Sequence, residues 1–184
     1  MNQNITQLLE RFQVGDDQAL NRLAELIYPE LKAMARRRAN KELQLNATAL
    51  VNETFLKLLS GSQVSSENRQ QFFGLAATIM RQVIVDEVRH AAAQKRNAPE
   101  ATFSDSMIAD ESQHDVDLLL QIDRLVEQLA REDKRLAHTF ECRYFAGFSM
   151  AETAEVVGVS ERTAERLWSQ ARERIGALLR ESDD

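Results

Sequence analysis

Ser160, Arg162, Thr163, Arg166 and Ser169 fall close together near the C-terminus, in VSERTAERLWSQ. An arginine can bridge a guanine edge or a phosphate, and a hydroxyl can donate to phosphate oxygens. With Glu161 and Glu165, these residues form the outward face of one helix, suited to reading the major groove of duplex DNA. An ordinary surface hairpin would carry the same charges merely solvated. The elements that hold this face therefore matter as much as the face itself.

Those elements read as two helices joined by a tight turn, in GFSMAETAEVVGVSERTAERLWSQARERIGALL, residues 147–179. Ser149 suits the first N-cap, and Ala151, Ala154 and Val157 line one face of that helix. Gly158 supplies the backbone freedom of a sharp turn, and Val159 points back into a small core. Ser160 suits the second N-cap, which sets Ala164 and Leu167 inward and Trp168 in or near the core. Small and apolar residues at 154, 157, 159, 164 and 167 around this glycine are the spacing of a helix-turn-helix.

A second basic edge lies on a long helix expected over Phe72–Arg96. Phe72, Leu75, Ile79, Val83, Ile84 and Val88 form its buried stripe, and Arg81, Arg89, Lys95 and Arg96 its positive side, with Asp86 spaced to pair with Arg89. Upstream, Ile5–Phe12 is a short amphipathic helix. Asp16 or Asp17 caps a helix running toward Ala39, with Leu20, Leu23, Ile27, Leu31 and Met34 inward and a kink expected at Pro29. Arg36, Arg37 and Arg38 at its end suit either the helix dipole or a partner. Asn46 caps ATALVNETFLKLLSG, in which Leu50, Val51, Phe55, Leu58 and Leu59 are apolar and Gly61 is the stop, and a polar loop follows over 60–71. Asp117–Leu129 and Lys134–Phe145 read as two helices packed under the helix-turn-helix.

No glycine-rich phosphate loop and no Ser/His/Asp arrangement is present, and the carboxylates are scattered over helical surfaces, so the chain reads as a binding protein and not an enzyme. His138 and Cys142 stand four residues apart with no second pair nearby, which argues against a metal site. A single cysteine suits a reducing cytoplasm, and no stretch has the apolar length of a membrane span. The expected fold is all-α, in two small helical domains over 1–97 and 117–184 joined by a flexible acidic linker over 98–116. The net charge of −6 divides unevenly: +3 over 1–97, −6 over 98–117 and −3 over 118–184. So acidic a chain neutralises few phosphates unaided, and it points to a partner that carries it to DNA.

The order of these parts resembles an extracytoplasmic-function (ECF) type RNA polymerase sigma factor of the sigma-70 family, over nearly the whole chain. ALVNETFLKLL is similar to the family's region 2.2 motif, written D-A-E-D-L-V-Q-E-T-F. FFGLAATIMRQVIVDEVRHAAAQKR is similar to regions 2.3 and 2.4, and VSERTAERLWSQARERI to region 4.2. The resemblance implies a protein without cofactor that binds core RNA polymerase, through the β′ clamp helices and the β subunit, and promoter DNA. It assigns polymerase contact to Leu50, Val51, Asn52, Glu53 and Phe55. It gives the −10 element to Arg81, Gln82, Arg89, Lys95 and Arg96, with residues 60–71 pocketing a flipped base, and the −35 element to Ser160, Arg162, Thr163, Arg166 and Ser169. Gln82 stands where many members carry Asn. The acidic linker would thread a basic polymerase channel.

The sequence departs from the family in region 2.2, where D-A-E-D reads Asn46-Ala47-Thr48-Ala49. The lost carboxylates are expected to pair with basic clamp groups. A phosphate on Thr48 would restore about −1.5 to −2 charges at a helix start, so a Ser/Thr protein kinase is an expected partner, and an anti-sigma factor is possible but not required. Thr54 is the weaker phosphorylation candidate. Two rival readings remain: an autonomous helix-turn-helix regulator that binds DNA without polymerase, and a sigma mimic that keeps the fold without reading DNA.

Overall fold

The computed structural model describes residues 5–38, 46–60, 69–96 and 103–182. Eight α-helices follow in order: α1 (Ile5–Gln13), α2 (Asp17–Arg38), α3 (Ala47–Ser60), α4 (Arg69–Arg96), α5 (Phe103–Glu132), α6 (Lys134–Phe140), α7 (Met150–Val157) and α8 (Glu161–Ser182). A π-helical turn, Glu141–Phe145, continues α6. There is no strand among the described residues, so the all-α expectation holds.

The N-terminal helices start where short polar side chains can satisfy their first amides. Asp16 Oδ1 accepts from the Gln18 and Ala19 N–H groups at 3.0 and 3.2 Å, and Arg11 holds the same carboxylate, keeping it below its ordinary pKa. Asn46 Oδ1 likewise accepts from Thr48 and Ala49 at 2.8 and 3.3 Å. α2 then runs through Pro29 without interruption; its side chain faces outward. Leu8, Leu23, Ile27, Leu31, Met34, Leu50, Leu58, Phe72 and Met80 fill the core of α1–α4. Each such side chain contributes about 1.5–3 kcal/mol by leaving water.

In the C-terminal half, α5, α6 and α8 pack around Val126, Leu129, Ala137, Phe140, Ala171 and Ile175. Phe140 stacks on Tyr144 at 5.1 Å and leans on Trp168 at 5.5 Å, so Trp168 borders the core as expected. The π turn, α5 and α7 lie against α4, and the buried side chains of both halves join in one continuous core.

Three local expectations need correction. The helix expected to begin at Asp117 begins at Phe103, so residues 103–116 of the stretch read as a flexible linker are helical. No glycine or proline interrupts 103–132, and acidic residues near a helix N-terminus favour it. Residues 97–102 lie outside the described residues. Asp86 does not pair with Arg89; it accepts from Lys57 of α3 at 2.7 Å, because a cross-helix partner is closer. Ala151 is exposed, and Thr153 takes the buried place beside Ala154, its hydroxyl satisfied by the Ser149 carbonyl at 2.8 Å.

Candidate nucleic-acid interface

α7, the first helix of the hairpin, is fixed at its start by side chains and at its end by backbone bonds. Ser149 Oγ accepts from the Glu152 N–H, and the Glu152 carboxylate accepts from the Ser149 N–H at 2.6 Å, a reciprocal capping box. Burial alone would raise the Glu152 pKa. The bonds from Ser149 and Arg37 outweigh that and hold it below its ordinary value. At the other end Gly158 adopts φ 72°, the left-handed conformation a side chain would strain. There the Val159 N–H reaches the Ala154 carbonyl at 3.0 Å and the Gly158 N–H the Glu155 carbonyl at 3.3 Å, closing a Schellman motif. Ala164 and Leu167 are buried against α7, while Val157 and Val159 are half-buried.

The outward face of α8 therefore has a rigid base. Arg162 and Arg166 are exposed, and neither makes an ion pair among the described residues. The hydroxyls are more committed. Ser160 Oγ accepts from the Thr163 N–H at 3.3 Å and lies 2.9 Å from Thr163 Oγ1, so both residues close the helix start. Ser169 Oγ donates to Glu173 at 3.3 Å. The two arginines are thus the cationic groups of this face that are exposed and without an ion pair among the described residues.

The residues expected on the −10 side are divided by α4. Gln82 is exposed, and the side chains of Lys95 and Arg96 lie outside the described residues. Arg81 departs from expectation, being 8% exposed. Its Nη1 donates to Asp123 Oδ1 at 2.9 Å and to the Asp123 carbonyl at 3.3 Å. Its Nε lies 3.1 Å from Glu141 Oε1, without the alignment of a hydrogen bond. Arg89 Nη2 donates to the other Asp123 oxygen at 3.3 Å. Burial pushes the Asp123 pKa up, and the two arginines oppose that without cancelling it. Arg81 is buried because the second half of the chain packs onto α4, which no local pattern encodes.

The residues expected to contact polymerase separate in the same way on α3. Leu50 and Val51 are fully buried, so their side chains serve the core and not a partner. Asn52 and Glu53 are exposed, and Phe55 is half-buried with its ring edge-on to Tyr28 at 6.4 Å. Tyr28 also donates to Asn52 at 3.3 Å. Leu56, exposed at 56%, was missed by the sequence reading. Its signal was a leucine off the stripe of Leu50, Val51, Thr54 and Leu58. Thr48 is exposed in the first turn of α3, whereas Thr54 is fully buried and its hydroxyl has no hydrogen-bond partner among the described residues. Of the stretch expected as a polar loop over 60–71, Ser60 belongs to α3 and residues 69–71 to α4, whose amphipathic pattern starts a turn before Phe72; residues 61–68, Gly61 among them, lie outside the described residues.

No group of His, Cys, Asp and Glu among the described residues could hold a metal ion, and no described helix is long and apolar enough to cross a membrane. Cys142, on the π turn, is fully buried, and burial pushes its thiol pKa up.

A family model described as ECF sigma factor matches residues 2–181. The chain belongs to this family. The match runs through both helical halves and the helix-turn-helix, so these are the parts of one ECF sigma factor. As a member, the protein is an alternative sigma factor, a transcription regulator that works with core RNA polymerase and promoter DNA. No curated protein matches the chain.

Proposed function

We propose that this ECF sigma factor, acting in the cytoplasm, divides its contacts as its two halves suggest. Residues 1–97 engage the β′ clamp helices and the −10 element, and the chain from α5 onward reads the −35 element, with the β subunit a further contact. The observation that carries this reading is the α8 face, where Arg162 and Arg166 stand exposed on a helix braced by a capping box and a Schellman motif. On α3, Asn52, Glu53, Phe55 and Leu56 supply a mixed polar and apolar surface for the clamp. On α4, Gln82 and Arg89 are the described candidates for −10 contact. Arg81 joins them only if it leaves its carboxylate partners.

Phosphorylation of Thr48 is the finer part of the proposal. Thr48 is exposed, and its own N–H is held by Asn46, so its side chain is available at a helix start. A phosphate there meets the positive end of the helix and offers clamp arginines and lysines charge-assisted bonds. Thr54 is inaccessible to a kinase.

Reconstitution with core polymerase tests the whole reading. The expected result is a transcript from a specific start site, stronger after kinase treatment. Thr48→Ala should lose the kinase response and Thr48→Glu should partly mimic it. Transcription that is equal for all three proteins, with no phosphate on Thr48 in protein from induced cells, would remove the switch and leave the sigma activity. Tight, sequence-specific duplex binding without polymerase would point to an autonomous regulator instead.

A further inference from the structure

Helices α2, α4 and α7 enclose a cavity of about 330 Å³, lined by no residue assigned above to polymerase or DNA. Small-molecule sites occupy roughly 300–1,000 Å³ and combine an apolar lining with a few convergent polar groups. Met34, Phe73 and Phe148 supply the apolar lining here and are themselves buried, with half-buried Val156 beside them. The Phe73 ring is held edge-on by Phe72 at 5.3 Å, and the Arg69 guanidinium lies 5.0 Å from its centre. That ring therefore already receives a planar cation.

The charges around the cavity do not balance. Glu30 pairs with Arg69. Glu152 pairs with Arg37, which also donates to the Gly147 carbonyl at 3.0 Å. Glu155, a turn further along α7, lines the same cavity and has no ion pair among the described residues. Gln70, at the start of α4, is exposed and offers an amide that can both donate and accept. Both guanidiniums are thus committed and one carboxylate is not. An anion entering here would have to displace Glu30 or Glu152 and would face Glu155. A cation meets an unanswered carboxylate beside apolar walls, where less water screens the attraction.

We propose that this cavity is a binding site for a small, flat organic cation, with its charged end on the Glu155 carboxylate, its body against Met34, Phe73 and Phe148, and Gln70 as a further polar contact. An amidinium or guanidinium group suits the site best. Its parallel N–H donors match a carboxylate in a bidentate pair, and its plane suits an aromatic wall. The unanswered charge sets the class of ligand and the volume sets its size. The site is independent of the polymerase and promoter contacts proposed above.

Benzamidine, a flat aromatic amidinium, is the probe. Benzoate has nearly the same shape with the opposite charge, and benzamide nearly the same shape with none. Each would be titrated into the full-length protein and followed by amide chemical shifts in nuclear magnetic resonance. Benzamidine should move the signals of Ala33, Gln70 and Glu155, and should bind about tenfold more tightly than benzamide or benzoate. Glu155→Gln should weaken benzamidine to the level of benzamide and leave benzamide unchanged. Glu87→Gln, exposed elsewhere on α4, should change neither. Ala33→Phe fills the cavity from an exposed position of α2 without altering charge, and should abolish binding of the probe. If circular dichroism shows that Ala33→Phe has lost its native helicity, Glu155→Gln decides alone. No shift with benzamidine, shifts confined to other surfaces, equal affinity for benzoate, or wild-type affinity in Glu155→Gln would each overturn the site. So would wild-type binding by a folded Ala33→Phe protein.

Discussion

Arg37 donates through Nη1 to Glu152 Oε2 at 3.2 Å, joining α2 to the same carboxylate that caps α7. One acidic group thereby serves both the start of the helix-turn-helix and its attachment to the N-terminal helices. The pair is 42% and 45% exposed, so its Coulombic part is worth at most about 1 kcal/mol.

The pH dependence of that group has a definite sign. The Glu152 pKa is lowered in the folded protein, so its stabilising contribution is present above the ordinary value of 4.5 and is lost as pH falls through the lowered one. Glu152→Gln should be less stable than wild type near neutrality, with the difference shrinking in acid. Denaturant midpoints across pH 3 to 7 would check this (roughly the carboxylate range). A difference that stays constant down the series would contradict the assignment.

Ser149→Ala should cost about 0.5–2 kcal/mol of stability, because it removes the side chain that satisfies the Glu152 N–H. Hydrogen exchange should localise the loss to the first turn of α7. A uniform loss across all helices would argue that the cap matters only globally.

Arg162→Ala and Arg166→Ala should each weaken promoter use by about 1–3 kcal/mol if the contact is bidentate to a base, with little effect on folding, since both side chains are exposed. Start-site mapping with holoenzyme, beside thermal melts of the free protein, separates the two effects. Normal transcription by both folded variants would remove these arginines from the reading face.

Leu50 and Leu56 should behave oppositely although both lie on α3. Leu50→Ala opens a cavity in the core and should cost about 2–5 kcal/mol of stability. Leu56→Ser should leave the melting temperature nearly unchanged and weaken polymerase binding, because that side chain is already in water. Equal polymerase affinity for wild type and Leu56→Ser would take Leu56 out of the clamp surface.

Most of the helices were legible because their signals are local. Asp16, Asn46 and Ser149 each sit before an apolar repeat and bond to the amides that follow, and Gly158 marks its turn by needing a positive φ. Which side of α8 faces out was legible for the same reason, since a helix start and the buried Ala164 and Leu167 fix it. The errors have a different origin. Arg81 looked exposed because a lone arginine on a helix usually is, and only the approach of α5 and the π turn buries it. Leu50 and Val51 looked like contact residues because the resemblance gives motif positions and not which side of α3 they occupy. The π turn itself has no sequence mark, because an extra residue in a helical turn is set by packing and not by propensity.

That turn carries the protein's single thiol against α4, and the thiol's isolation makes it a clock. Cys142 is wholly enclosed and its thiolate disfavoured, so an alkylating reagent can react only in the moments when the turn comes away. Its labelling rate in the native protein then counts openings of this junction as they happen, one chemical event per molecule, with no probe added to the chain.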